Sequence, residues 1–168
     1  MYYLAYGSNL NLKEMKYRCP FSKVVGTMHL YNYKLSFKGE ENGFLTIEPK
    51  EGSIVPIGIF KVNKLFIKNL DSYENYPYLY NKKEIEFELY GKVVKGLIYI
   101  MNDDFDYAMP NDYYFNCCKV GYNDFNFDDS YLKEALDYTA NSIKSKETTR
   151  NLHLWQFFDK KWLHLLKK

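Results

Sequence analysis

The sequence predicts an α+β domain: a curled antiparallel or mixed sheet with a few helices packed against it. Three observations carry this. Short apolar or alternating runs follow one another along the 168 residues, with turn residues between them. Helical periodicity shows at few points. Strands and helices do not alternate as they do in parallel α/β units. The length suits one domain with a substantial core.

Tyr2-Tyr3-Leu4-Ala5 reads as a buried strand that ends at a turn signal. The turn is Tyr6-Gly7-Ser8-Asn9-Leu10. After it, Asn11-Leu12-Lys13-Glu14 has the form of a capping box opening a helix. A strand that turns sharply into a helix leaves backbone N–H groups pointing outward. Gly7, with no Cβ, is free to take positive φ and let another group approach the backbone. Ser8 and Asn9 place polar side chains at the same edge. Such a turn suits a carboxylate or phosphate.

From His29 to Phe37, Tyr31, Tyr33, Leu35 and Phe37 alternate on one face of a half-buried strand. Lys38 to Gly43 is a polar loop. Phe44 to Ile47 is a short strand ended by Pro49, Glu51-Gly52-Ser53 is a turn, and Pro56 to Val62 is a further strand. Asn63 offers a helix N-cap, and Phe66, Leu70 and Tyr73 fall on one helical face. Asn75 suits the left-handed conformation that closes a helix, and Pro77 stops it. Glu74 is therefore expected at the helix C-terminus. Ile85, Phe87 and Leu89, the turn Tyr90-Gly91-Lys92, and the apolar run Val93 to Met101 read as a hairpin whose second strand is central. Asn102 to Asn111 is an acidic loop. Asp128-Asp129-Ser130 opens a helix to about Asn141, with Leu132, Ala135 and Leu136 toward the core. Ser142 to Arg150 is polar and reads as a linker. Trp155, Phe158, Trp162 and Leu165 mark a final amphipathic helix. The expected division is a domain over residues 1–141, then a linker and helix over 142–168. That helix is expected to pack on the same domain or on a second copy in a homodimer; the alternative is a basic amphipathic helix that touches membranes.

Lys+Arg total 23 and Asp+Glu 21, a net charge of +2, so no basic face argues for nucleic acid. The 18 tyrosines and 12 phenylalanines suit strands better than base stacking. Cys19, Cys117 and Cys118 form neither a disulfide framework nor a metal site. There is no signal-peptide pattern and no apolar run long enough to span a membrane. A reducing, cytoplasmic setting is the expectation.

Glu74 is the sharpest candidate for chemistry. A carboxylate at a helix C-terminus faces the negative end of the dipole. The neighbours Tyr73, Tyr76 and Tyr78 are read as an apolar setting. Both effects raise a carboxyl pKa toward the range a general acid–base needs.

Ala5-Tyr6-Gly7-Ser8-Asn9-Leu10, then Arg18-Cys19-Pro20, Gly43 to Ile47, Val55 to Phe60, Leu70-Asp71-Ser72-Tyr73-Glu74 and Tyr80 occur in that order. Over about residues 1–140 the chain thereby resembles the gamma-glutamylcyclotransferase-like (AIG2-like) family. The resemblance implies a small β-barrel with flanking helices and an enzyme that needs no metal or organic cofactor. It implies a small-molecule γ-glutamyl substrate, cyclised to 5-oxoproline with release of an amine or amino acid. Glu74 would be the general acid/base. The loop Tyr6, Gly7, Ser8, Asn9 and Leu10 would hold the substrate carboxylate, and Tyr80 and Tyr113 would line the pocket. The sequence departs from the family at Asn75, where many members have glycine, and at Lys82, where many have arginine. The other reading is a non-catalytic carboxylate-binding module of the same fold.

Overall fold

The computed structural model describes the backbone of residues 1–163 and the side chains of residues 1–150. Strand β1 (Tyr2–Ala5) is short and almost wholly buried because a strand on each side covers its edges. It runs antiparallel to β3 (Phe44–Lys61), with Leu4 opposite Ile59, and parallel to β5 (Lys92–Met101), with Tyr3 opposite Leu97. Strands β2 (Lys23–Lys38) and β4 (Tyr80–Leu89) complete the order β2-β3-β1-β5-β4. The sheet is mixed and, among the described residues, open, so the expected barrel does not close by a strand ladder. Its curl brings the two edges together at one end, where the Tyr90 hydroxyl donates to the Val25 carbonyl at 2.6 Å.

The predicted alternation from Tyr31 to Phe37 does not run through. A bulge lies between Tyr31 and Tyr33, with Asn32 at φ 62°, and one extra residue exchanges the faces of a strand. Leu30 therefore points inward before the bulge, Leu35 and Phe37 after it, and Tyr31 is exposed. The two strands expected around Glu51-Gly52-Ser53 are one strand, β3. The turn survives as an excursion from the ladder, pinned where the Gly52 N–H donates to Asn32 Oδ1 at 3.1 Å.

Helix α1 (Leu12–Arg18) begins at the expected cap, where Asn11 Oδ1 accepts from the N–H groups of Lys13 and Glu14. The capping box is not completed: the Asn11 N–H donates to the Ser8 carbonyl and the Glu14 carboxylate pairs with Arg18. Helix α2 (Ile67–Tyr73) follows a 3₁₀ turn capped by Asn63, ends at Glu74, and is closed by Asn75 at φ 48°. Helix α3 (Asp112–Asp124) was not foreseen. Asn111 caps it by accepting from the Tyr114 N–H at 2.8 Å, and Cys118 and Tyr122 lie on its buried face. Helix α4 (Ser130–Leu163) buries Leu132, Ala135 and Thr139 against β2, where Thr139 Oγ1 accepts from the Phe37 N–H.

The polar stretch 142–150, expected as a linker, continues α4 without a break. It contains no glycine or proline. Its hydroxyls stay with the helix: Ser142, Thr148 and Thr149 donate to the carbonyls of Tyr138, Lys144 and Ser145. The expected burial of Trp155 and Trp162 concerns side chains outside the described residues. No helix among the described residues is long and apolar enough to cross a membrane.

Candidate active site

The parallel pairing of β1 and β5 sends their C-terminal ends to the same edge of the sheet. The chain leaves β1 there through Tyr6 and Gly7 into a 3₁₀ turn, Ser8–Leu10. The turn is closed where the Leu10 N–H donates to the Gly7 carbonyl and the Asn11 N–H to that of Ser8. The amides of Gly7, Ser8 and Asn9 have no acceptor among the described residues. Helix α3 packs directly on this turn. A Cβ on Gly121 would stand 2.5 Å from the Asn11 nitrogen and 2.7 Å from the Leu10 carbonyl carbon, so only glycine permits that approach.

A narrow cavity opens beside the turn. Tyr3, Tyr6, Gly7, Ser8, Asn9 and Glu74 line it. Leu45, Tyr80, Tyr99 and Tyr114 complete the lining. The structure thus brings together Tyr6, Gly7, Ser8, Asn9, Glu74 and Tyr80, six of the eight residues singled out in the sequence.

Leu10 and Tyr113 fall elsewhere. Leu10 points away from the cavity and is fully buried under α3, where it packs as core. Tyr113 is 80% exposed on the outer face of α3, and its neighbour Tyr114 lines the cavity instead. The reason is helical phase: Asn111 caps α3 so that Tyr114 and Cys118 share the inward stripe, which turns Tyr113 outward. Gly7 also differs from expectation. Its φ is −119°, outside the left-handed region, and a Cβ there would meet Leu45 Cβ and the Tyr114 hydroxyl at 3.5 Å. What glycine provides is space in the cavity.

Glu74 caps α2, its N–H donating to the Leu70 carbonyl at 2.8 Å. The residue is partly exposed, but its carboxyl group is enclosed by protein. Burial pushes the pKa up to about 7, against the opposing pull of the Arg18 guanidinium and of a hydrogen bond from Asn9. The enclosing groups are Tyr3, Tyr80 and Tyr99 from three strands and Tyr6 from the exit of β1, all raised above the usual phenol range by burial. Tyr76 and Tyr78, read from the sequence as that setting, are 40% and 59% exposed and do not line the cavity.

The cavity walls are held by hydrogen bonds to fixed partners. The Tyr6 hydroxyl donates to the Tyr99 carbonyl at 2.7 Å and that of Tyr80 to the Leu45 carbonyl at 2.8 Å. The Leu45 N–H donates to Tyr114 Oη at 3.0 Å. Tyr99 donates to Asp71 Oδ1 at 2.6 Å, and Lys82 pairs with the same carboxylate. Lys82 thus stands behind the wall and braces it. Among the described residues no group of three or more His, Cys, Asp or Glu side chains is arranged to hold a metal ion.

Residues 3–116 match the sequence model of a family described as gamma-glutamyl cyclotransferase, AIG2-like. No curated protein matches the chain. Among solved structures it is similar to one described as gamma-glutamyl cyclotransferase, with 22% identity and a TM-score of 0.67 over 80% of this chain and 85% of that one. An uncharacterized protein from Homo sapiens shares 24% identity with the same TM-score and coverage. YkqA from Bacillus subtilis shares 16% identity at TM-score 0.65, over 83% of this chain and 54% of that one. At such identities the solved structures speak for the fold. The family match spans well over half of the sequence and includes the turn, Arg18, Glu74 and Tyr114. The chain belongs to the gamma-glutamyl cyclotransferase, AIG2-like family.

Proposed function

We propose that the protein converts a γ-glutamyl amine or γ-glutamyl amino acid to 5-oxoproline and the free amine, with Glu74 as the general acid/base. The observation that carries this reading is an enclosed carboxyl that changes charge near neutral pH, facing the same small cavity as an amide-rich turn. The amides of Gly7, Ser8 and Asn9 suit the substrate α-carboxylate. The lining, one carboxyl with tyrosines around it, suits a polar γ-glutamyl head, with the leaving amine extending from the mouth.

In the reaction, ionised Glu74 takes a proton from the substrate α-amine. The amine nitrogen attacks the γ-carbonyl carbon of the same molecule, and a C–N bond closes the five-membered ring. Glu74 returns the proton to the departing nitrogen as the original amide C–N bond breaks. Nucleophile and electrophile belong to one molecule, so the site's task is to fold the γ-glutamyl group and exclude water. The tyrosine walls, pinned to backbone carbonyls and to Asp71, supply a rigid mould for that.

The test is a panel of γ-glutamyl amines and amino acids incubated with the protein, with 5-oxoproline as the readout. Turnover of at least one, abolished by Glu74→Gln, is the expected result. Binding without 5-oxoproline would instead make the protein a carboxylate-binding module of this fold.

A further inference from the structure

We infer that Arg18 is a positioning residue for Glu74 that acts through the side-chain amide of Asn9; this rests on the cyclotransferase reading of Glu74. Arg18 ends α1, and its side chain is only 10% exposed. Three contacts hold it. Nη2 pairs with Glu14 Oε2 at 3.0 Å, one turn back. Nη1 donates to Asn9 Oδ1 at 2.8 Å. The guanidinium carbon lies 3.4 Å from the centroid of the Tyr73 ring, whose hydroxyl shares a 2.8 Å hydrogen bond with Ser8 Oγ.

A guanidinium has donors and no acceptor, so it requires the carbonyl oxygen of Asn9 to face it. That fixes the Asn9 nitrogen on the opposite side. Its two hydrogens go to Tyr3 Oη at 2.8 Å and Glu74 Oε1 at 2.6 Å. The amide is then committed at both ends, and a flip would set its NH₂ against the guanidinium. Glu74 accordingly meets a fixed donor on one oxygen, and its other oxygen is held in one orientation. Without Arg18 the flipped amide becomes accessible, and it would place an oxygen against the ionised carboxylate.

Electrostatics point the same way. The groups facing the carboxyl are Tyr3 from β1, Tyr6 just after it, Tyr73 from α2, Tyr80 from β4, Tyr99 from β5 and Cys118 from α3. Burial keeps all of them protonated and neutral at pH 7. Arg18 is the cation set against Glu74, and it favours the ionised form that must accept the amine proton.

The test uses Arg18→Met and Arg18→Lys on the full chain. One readout is the pH profile of kcat and KM on a γ-glutamyl compound from the panel. The other is a direct carbon NMR titration of the Glu74 carboxyl. For Arg18→Met the expected result is a high-pH plateau of kcat lowered by about 10- to 100-fold through misorientation. KM should hold, and the Glu74 midpoint should move to higher pH. Arg18→Lys keeps the charge but loses the planar fork, so the midpoint should stay near wild type while part of the plateau loss remains. A folded Arg18→Met protein with the wild-type plateau and midpoint overturns the inference. If that variant does not fold, a wild-type plateau in Arg18→Lys overturns it. Should no γ-glutamyl compound turn over, the cyclotransferase reading fails separately. The NMR titration then still decides the coupling: a midpoint unmoved in Arg18→Met refutes it, and a midpoint moved upward sustains it.

Discussion

Replacing Glu74 with glutamine should make the protein more stable at alkaline pH while removing its activity. The carboxyl titrates at about 7 in the fold against an ordinary 4.5. A folded value above the unfolded one means that the fold favours the protonated acid. Stability from this group is therefore greatest below about pH 4.5, falls as pH rises toward 7, and levels off above it. A carboxylate held at about 7 disfavours its own ionisation by roughly 3 kcal/mol. Part of that is relieved by solvent at the partly exposed helix end. Glutamine is neutral throughout and its oxygen still accepts from Asn9. The variant's advantage in denaturant unfolding should thus grow by roughly 1–2 kcal/mol between pH 5 and pH 8. Turnover to 5-oxoproline should fall by roughly 10²–10⁴, since no group remains to accept the amine proton. The wild-type rate should rise with pH through a midpoint near 7, and that limb should vanish in the variant. Two results would refute the reasoning: near-normal 5-oxoproline production by Glu74→Gln, or a stability difference that is the same at both pH values.

Three further predictions test the geometry around that carboxyl. Gly7→Val places its Cβ at the Leu45 and Tyr114 contacts and its methyl groups in the cavity, so substrate affinity should be lost while thermal unfolding stays near wild type. Gly121→Ala sets a methyl group against the backbone of Leu10 and Asn11, so it should destabilise by about 1–3 kcal/mol and impair turnover by shifting the turn. A wild-type melting temperature for it would show that α3 has room to move. Tyr113→Ala should change stability by no more than about 0.5 kcal/mol and leave KM alone. Tyr114→Phe removes the acceptor of the Leu45 N–H and should cost about 1 kcal/mol or more, with an altered KM. The reverse ranking would return Tyr113 to the pocket.

Much of the site was legible locally because its parts are local. The turn after β1, the Asn11 cap and the left-handed Asn75 that ends α2 are each specified by a few neighbouring residues and the conformations open to them. The position of Glu74 followed from the helix end, and its reading as acid/base from the family resemblance of Leu70-Asp71-Ser72-Tyr73-Glu74. The α3 signal was present too, in Asn111 as a cap with Tyr114, Phe115, Cys118 and Tyr122 on one stripe, and reading it would have chosen Tyr114 over Tyr113. The bulge at Asn32 left no such signal, because β-branched and aromatic residues occupy both faces of β2.

The sequence alone determined the kinds of element, the order of the motifs and the candidate acid/base. The tertiary structure decided what surrounds that acid/base. The Tyr3, Tyr6, Tyr80 and Tyr99 cage is assembled from distant parts of the chain: the hydrogen bond from Tyr6 to Tyr99 alone spans 93 residues. Asn9 and Glu74 meet across 65 residues. No local propensity encodes such pairings. They follow from burying a sheet in which the central β1 runs parallel to its neighbour β5, so that both deliver their C-terminal ends to one edge. Burial at that edge is what lifts the Glu74 pKa. The helix terminus supplies the position, and the desolvating walls from distant strands supply the chemistry.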